Sequence, residues 1–443
     1  MSQNIHHETS HVDHFTLNNN LHTNGNVDEQ SLYQLLVQSN DGESDRHPSI
    51  LRIQLSDQAV LFPSLLFSSQ SKYQHVIVCG SCENGEDSSS THHSHDHDDI
   101  PRSIIQIKSP NTEIASLHTN TSSSSVSLRP TLEFRNVQFV SVCDENVTTT
   151  TMEHTTTTST VNTSTNTVPT TTNTSTSSPN KTTTTENSSS SIMTFLNMNL
   201  KFHHCHFQGV SLVLKGCTQC TLTHSHLSSC TSACAIHCMD SSHIHISNSI
   251  LSKHERNAIK CQHDSNVHLE HVQIQDSLGN GIIAQDGSHL KLSHCHVLRN
   301  HSFGVLSYHD STLEISHSII SHQLQSGISL TNTNAHTILS YNQIHSNSEN
   351  GIMVSGMSNK GQMEFSNNEI VNNEAYGIFI MDGVGIPIHV HHNLIKGNRC
   401  GPIKDDTTSD DHPPRMTIES LGKNKSSSKN TNSKNSKSGP EYT

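Results

Sequence analysis

Tryptophan is absent from this chain, and aromatic residues of every kind make up only 4 % of it. Flat ring platforms, which sugar-binding grooves favour, are therefore scarce. Charged residues are also few, at 14 %, and the net charge of −14 is spread thinly along the chain. No basic stripe for nucleic acid or for an anionic membrane emerges from that pattern. No apolar run approaches the roughly 18 residues that a membrane-spanning helix needs. The opening, MSQNIHHETSHVDHF, has neither a basic n-region nor an apolar h-region and does not read as a secretory signal. The twelve cysteines are then expected to be reduced thiols, and the expected location is the cytoplasm.

What the chain does have is a period. A small residue followed by an aliphatic one recurs at Gly209-Val210, Ala235-Ile236, Ala258-Ile259, Gly281-Ile282, Gly304-Val305, Gly327-Ile328, Gly351-Ile352 and Gly377-Ile378, with a fainter copy at Gly401-Pro402. The steps are 26, 23, 23, 23, 23, 24, 26 and 24 residues. A fixed period in the twenties marks a solenoid, whose units bury their apolar faces only against their neighbours. Within a unit the apolar residues alternate, as in Leu313, Ile315, Ile320, Ile328 and Leu330. Such runs, broken by Ser, Asn, His and Gly, read as short strands and turns with no room for a helix. Stacked rungs about 4.8 Å apart then align equivalent residues in columns.

One column, Cys205, Ser225, Ser249, Val272, Cys295, Ser318, Asn342, Asn368 and Asn393, is expected to face inward at a turn. Its small and amide side chains can hydrogen-bond from rung to rung, with an amide ladder expected over the last three. Segments such as LEISHSIISHQLQSGISL (313–330) and MEFSNNEIVNNEAYGIFI (363–380) carry this pattern of strand, turn, strand, loop and Gly-Ile strand. In these the chain resembles the right-handed parallel β-helix repeat family, the fold of pectate lyases and of repeat domains in some F-box-only proteins. The resemblance implies an all-β, right-handed, single-stranded parallel β-helix solenoid. It would have about nine regular coils of about 23 residues, preceded by two to four irregular N-terminal coils.

The expected organisation follows the composition. Residues 1–27 read as disordered, and residues 28–143 as a cap with irregular coils, including an amphipathic stretch at Leu32, Leu35 and Leu36. Within that segment 83–99 is a disordered His/Asp loop. Residues 144–191 form a Thr/Ser/Asn-rich insertion too poor in apolar residues to pack, residues 192–403 hold the regular repeats, and residues 404–443 a solvated Lys/Ser/Asn-rich tail.

Histidine is abundant, with 38 copies. His204, His224, His271, His294, His317 and His392 share one column just before the inward one and should face outward. They are candidate metal ligands, although a line of imidazoles converges poorly on one ion. A second candidate set is the loop run His92, His93, His95 and His97, downstream of Cys79-x-x-Cys82. Cys217-x-x-Cys220 and Cys230, Cys234, Cys238 and Cys261 crowd into neighbouring coils, and read as small core residues before a metal or redox cluster. No cofactor is expected.

The carboxylates decide for or against an enzyme. Asp240, Asp286 and Asp382 share a column interrupted by His263, His309, Asn332 and Gly356. Asp240 and Asp286 are two rungs apart, about 9.6 Å by stacking, at the edge of what a paired acid and base can use. The catalytic motifs implied by the pectate-lyase-like resemblance are missing: there is no Asn-Thr-Asp, Gly-His-Gly, Arg-Ile-Lys or Asp-Pro-His. No catalytic residue is assigned. The outward column Lys201, Thr221, His245, His268, Lys291, Glu314, Ile338, Glu364 and His389 should line the long lateral face. The expected function is a non-catalytic scaffold or substrate-recognition module that binds a protein, adaptor-like by its resemblance, although residues 1–50 are too short and polar for an F-box. The alternative is a carbohydrate-active enzyme or polysaccharide binder of the pectate-lyase-like class, resting on Asp240 and Asp286.

Overall fold

The computed structural model describes residues 12–17, 50–55, 75–79, 103–107, 112–116, 131–141, 416–419 and 191–407, the last without 232–233, 332–335, 357–360 and 382–383. Among the described residues there is no helix, and so none long and apolar enough to cross a membrane. The chain winds as a right-handed parallel β-solenoid with three long sheets of 14, 11 and 11 strands. Each strand pairs in parallel with its equivalent one coil earlier and one coil later, as Gln219–Thr223 does with Asn199–His203 and His243–Ser247. We call the three sheets first, second and third, in the order in which a coil such as 243–261 visits them: His243–Ser247, Ile250–Ser252 and Asn257–Cys261.

Strict alternation places one set of side chains inside. Phe202, Leu222, Ile246, Leu269, Leu292, Ile315, Leu339 and Phe365 form one such column of the first sheet, and all are fully buried. An apolar column runs the length of the solenoid because a one-residue slip would turn every side chain outward. The repeating glycine has a steric cause. A Cβ on Gly304 would sit 2.7 Å from the carbonyl oxygen of Gly327, and one on Gly327 would sit 2.8 Å from that of Gly351. Ala235 and Ala258 show that the earlier coils have room there.

Two ends of the sequence beat are corrected by the register. Ile236 pairs with Leu212, so the equivalent of Ala235 is Ser211 and not Gly209, whose φ of 67° instead makes a turn. Ile378 pairs with Ile403, which makes Pro402-Ile403 the last copy of the beat. Both slips arose because a glycine at a turn looks in sequence like a glycine at a close approach.

Single left-handed residues make the corners. His204, His224, Asn248, His271, His294, His317, Tyr341, Asn367 and His392 lie between the first and second sheets with φ from 48° to 57°. Asn and His tolerate that region better than most residues. The inward neighbours of these residues form the expected ladder, and it is longer than expected. Asn342 N–H and Nδ2 donate to Asn368 Oδ1 at 3.0 Å, and Asn368 donates likewise to Asn393. Upstream, the Ser318, Ser249 and Ser225 hydroxyls accept from the backbone N–H of Cys295, Ser225 and Cys205, each at 3.0 Å. A hydroxyl does there what the amide does later.

A second buried ladder, not anticipated from the sequence, lies five residues further on, past the second sheet. Ser277, Asn300, Gln323, Asn347, Asn373 and Asn398 are linked by backbone N–H to side-chain oxygen bonds of 2.9–3.1 Å. Two short strands, Val12–Leu17 and Met416–Glu419, lie within segments whose composition reads as unstructured. They pair in register with Ile50–Leu55 and Ile388–His391. The amphipathic stretch at Leu32 and the insertion at 144–190 fall outside the described residues.

Candidate functional site

The outward face of the first sheet carries the expected lateral column, and the structure adds a second one beside it. Thr221, His245, His268, Lys291 and Glu314 form the floor of a groove, and Gln219, His243, Asn266, His289 and Thr312 its side. The groove has a volume of about 620 Å³ and runs along the solenoid axis over five rungs. The pleat creates it: inward residues fill the core, and every second residue of five consecutive strands is left pointing at solvent.

The floor is a chain of polar contacts. His245 Nδ1 and His268 Nδ1 are 3.3 Å apart, so one ring donates its N–H to the lone pair of the other. Burial, followed by the His245 imidazole and the Lys291 ammonium, lowers the His268 pKa and favours its neutral form. One rung further on, Lys291 Nζ donates to Glu314 Oε1 at 2.8 Å, joining neighbours of the expected outward column. At the side, Asn266 Nδ2 lies 3.1 Å from His243 Nε2. The floor thus offers a shared proton between two imidazoles, a cation and a carboxylate, on four successive rungs. That is sufficient for proton transfer to or from a bound group and for hydrogen bonding to hydroxyls.

The carboxylate column lies at the corner that leads into this face. Asp240 Oδ1 is 3.4 Å from His263 Nδ1, His263 Nε2 is 4.0 Å from Asp286 Oδ2, and His309 Nδ1 is 3.2 Å from Asp286 Oδ1. Asp240 and Asp286 are therefore separated by an imidazole and do not face one another across open space. Partial burial acts to raise the Asp286 carboxyl, but hydrogen bonds from Gln285 and His309 outweigh it and hold the pKa below its usual value. Their φ values of 56° and 53° identify Asp240 and Asp286 as corner residues. Asp382 and Asn332 lie outside the described residues.

The metal candidates are placed as follows. His204 stacks on His224 at 4.9 Å between ring centroids, His271 on His294 and His294 on His317 at 5.0 Å, with interplanar angles of 8°, 26° and 12°. His392 lies apart from these and meets His391 edge to face. Rings stacked face to face aim their nitrogens in parallel and do not converge, so none of these residues is assigned as a ligand. Among the described residues no three His, Cys, Asp or Glu side chains are grouped to hold a metal ion. His92, His93, His95, His97 and Cys82 lie outside the described residues, as does the side chain of Cys79. Cys238 and Cys261 are in register, as expected, and fully buried. Burial pushes Cys205, Cys234 and Cys261 up to about 12, so these thiols stay protonated in the core.

A family model described as "right handed beta helix region" matches residues 208–360 and 257–412. This repeat region is a right-handed β-helix. No curated protein matches the chain in sequence. Among solved structures, a periplasmic alginate epimerase is 10 % identical with a TM-score of 0.49, over 92 % of this chain and 84 % of the epimerase. The A-module of a mannuronan C-5 epimerase from Azotobacter vinelandii is 12 % identical with a TM-score of 0.42, over 86 % of this chain and 91 % of the module. The catalytic domain of an α-1,3-glucanase is 8 % identical with a TM-score of 0.40, over 79 % of this chain and 64 % of that domain. At these identities the likeness speaks for the fold alone. The expected non-catalytic, protein-binding scaffold is corrected here. The similar solved structures are enzymes of polysaccharides. The groove has no Trp, Tyr or Arg, so it carries neither the anchors of protein interfaces nor the ring platforms of many sugar grooves, and offers hydrogen-bonding side chains instead.

Proposed function

We propose that this β-helix binds a polysaccharide lengthwise in the groove of its first sheet, as a carbohydrate-active protein. The observation that carries the reading is the groove itself, which runs over five rungs and bears two hydrogen-bonding side chains from each. A chain of sugars presents hydroxyls at a regular repeat, and a solenoid presents hydrogen-bonding groups the same way. The His245–His268 pair gives the groove a means of moving a proton, so turnover of the bound chain is the activity to look for.

The test is retardation of the full-length protein in gels cast with alginate, mannuronan, α-1,3-glucan or an unrelated neutral glucan, with product release followed in parallel. At least one polymer should retard the parent protein. Combining His268→Asn with Lys291→Gln should weaken that binding roughly tenfold, the equivalent of one or two lost charge-assisted hydrogen bonds. Indifference of the parent protein to every polymer, or equal retardation of the double variant, would refute the reading.

A further inference from the structure

The imidazole ladder at the corner between the first and second sheets takes no part in the groove, and it has a concavity of its own. His271, His294 and His317, continued by Tyr341, stack at 5.0 Å per step. With His296, Ser318, Ile319 and Gln343 they line a second groove of about 470 Å³. Because the rings cover one another's faces, it is their edges that line the groove, one ring per rung. The first sheet turns Glu270, Ser293, Ser316 and Ser340 toward the row, and the second turns Gln273, His296, Ile319 and Gln343. Asn248 and Asn367 lie beyond its ends in the same column. Among the described residues Glu270, whose Oε1 is 3.9 Å from His271 Nε2, is the single acid facing four imidazoles.

We propose that this corner is a second binding face, which takes a linear acidic glycan along the solenoid axis with its carboxylate or sulfate groups in step with the imidazole edges. Charge complementarity selects the partner. An imidazole becomes cationic on mild acidification, and a row of such cations has no counter-charge of its own beyond Glu270. A polyanion with a regular repeat supplies one per rung. A nucleic-acid strand fits less well, since strand binding stacks bases on exposed ring faces, and here the rings cover one another's faces. The inference does not depend on the groove of the first sheet.

The deciding experiment measures binding of the full-length protein to alginate, with neutral dextran and single-stranded DNA as controls, at about pH 5.5 and about pH 7.5. The parent protein should bind alginate roughly tenfold more tightly at the lower pH, with salt weakening the gain. Replacing His271, His294 and His317 together by Asn should abolish the gain. The corner itself tolerates Asn, because Asn248 and Asn367 already occupy it with φ of 49° and 56°. The groove variant, His268→Asn with Lys291→Gln, should keep the gain, which separates failure of this inference from failure of the first-sheet reading. Should the triple variant lose its β-sheet circular dichroism, His294→Asn alone is expected to lower the gain about threefold. An undiminished gain in these variants, an equal gain with dextran, or DNA binding with the same gain and the same loss would overturn the inference.

Discussion

The early and late coils share one rung geometry and fill it differently. In the early coils phenylalanines stack along the axis: Phe134 on Phe202 at 5.4 Å and 4°, and Phe139 on Phe207 at 4.6 Å and 3°. Edge contacts of 5.1 and 5.3 Å join the two stacks. In the late coils Phe365 is the one large buried ring among the described residues, set among aliphatic side chains and hydroxyls such as Ser329 and Thr337, and the corners hold amides, with Asn342, Asn368 and Asn393 on one ladder and Asn347, Asn373 and Asn398 on the other. The difference shows that a parallel solenoid has two separate needs. Its interior must be filled, and its corner N–H groups, which no sheet serves, must be bonded. Rings answer the first need and amides the second, and on the first ladder the middle coils put Ser hydroxyls in place of amides.

The comparison can be broken at either end, and the aromatic end should break harder. Phe202 touches Phe134, Phe139, Phe195 and Phe207. Phe202→Ala is expected to cost about 4 kcal/mol through the cavity it leaves, measured as a drop in the denaturant midpoint by circular dichroism. A cost below about 1 kcal/mol would mean that the rings collapse freely and that filling is not their role. Asn373→Ala should cost somewhat less. Asn373 Oδ1 accepts from Asn347 N–H and Nδ2, and its Nδ2 donates to Asn398 Oδ1 and to the Ile344 carbonyl. Stranding such buried groups is expected to cost about 3 kcal/mol. Asn373→Ser, which keeps one acceptor, should recover part of that loss if the middle coils are a fair guide.

This division explains what was legible beforehand. The period, the inward Cys/Ser/Asn column and the outward Lys291–Glu314 pair follow from alternation, which sequence displays directly. The second amide ladder was equally visible in principle, because Asn347, Asn373 and Asn398 each follow an Asn of the first ladder by five residues. It was missed because the upstream members of its column, Cys230, His254 and Ser277, share no chemistry with them. The candidate site was less legible for a physical reason. Its members His245, His268 and Lys291 come from separate coils, and nothing in the spacing of one coil reveals that two imidazole nitrogens will lie 3.3 Å apart across the next. Asp240 and Asp286 were read correctly as sharing a column, but the His263 ring between them is a matter of side-chain conformation.

The mildest perturbation extends the late device into the middle coils. His254 occupies the second ladder's column, and its Nδ1 accepts from Cys230 N–H at 3.4 Å, while its Nε2 is buried without a hydrogen-bond partner. Burial, with a smaller contribution from the His226 imidazole, pushes His254 down to about 4. In the unfolded chain the same ring titrates near about 6.5. Between these values the unfolded state holds a proton that the folded state does not, so stability falls as the pH drops from about 6.5 toward about 4. His254→Asn supplies an amide oxygen for the Cys230 N–H and removes the titrating ring. At neutral pH it should change stability by less than about 1 kcal/mol. In acid the variant should lose less than the parent across that window, although His237, also pushed down to about 4 by burial, keeps part of the slope in both. Urea midpoints at about pH 7 and about pH 5 would measure the difference. Parallel losses in the two proteins would mean that His254 is not held neutral, and that its place in the ladder is packing alone.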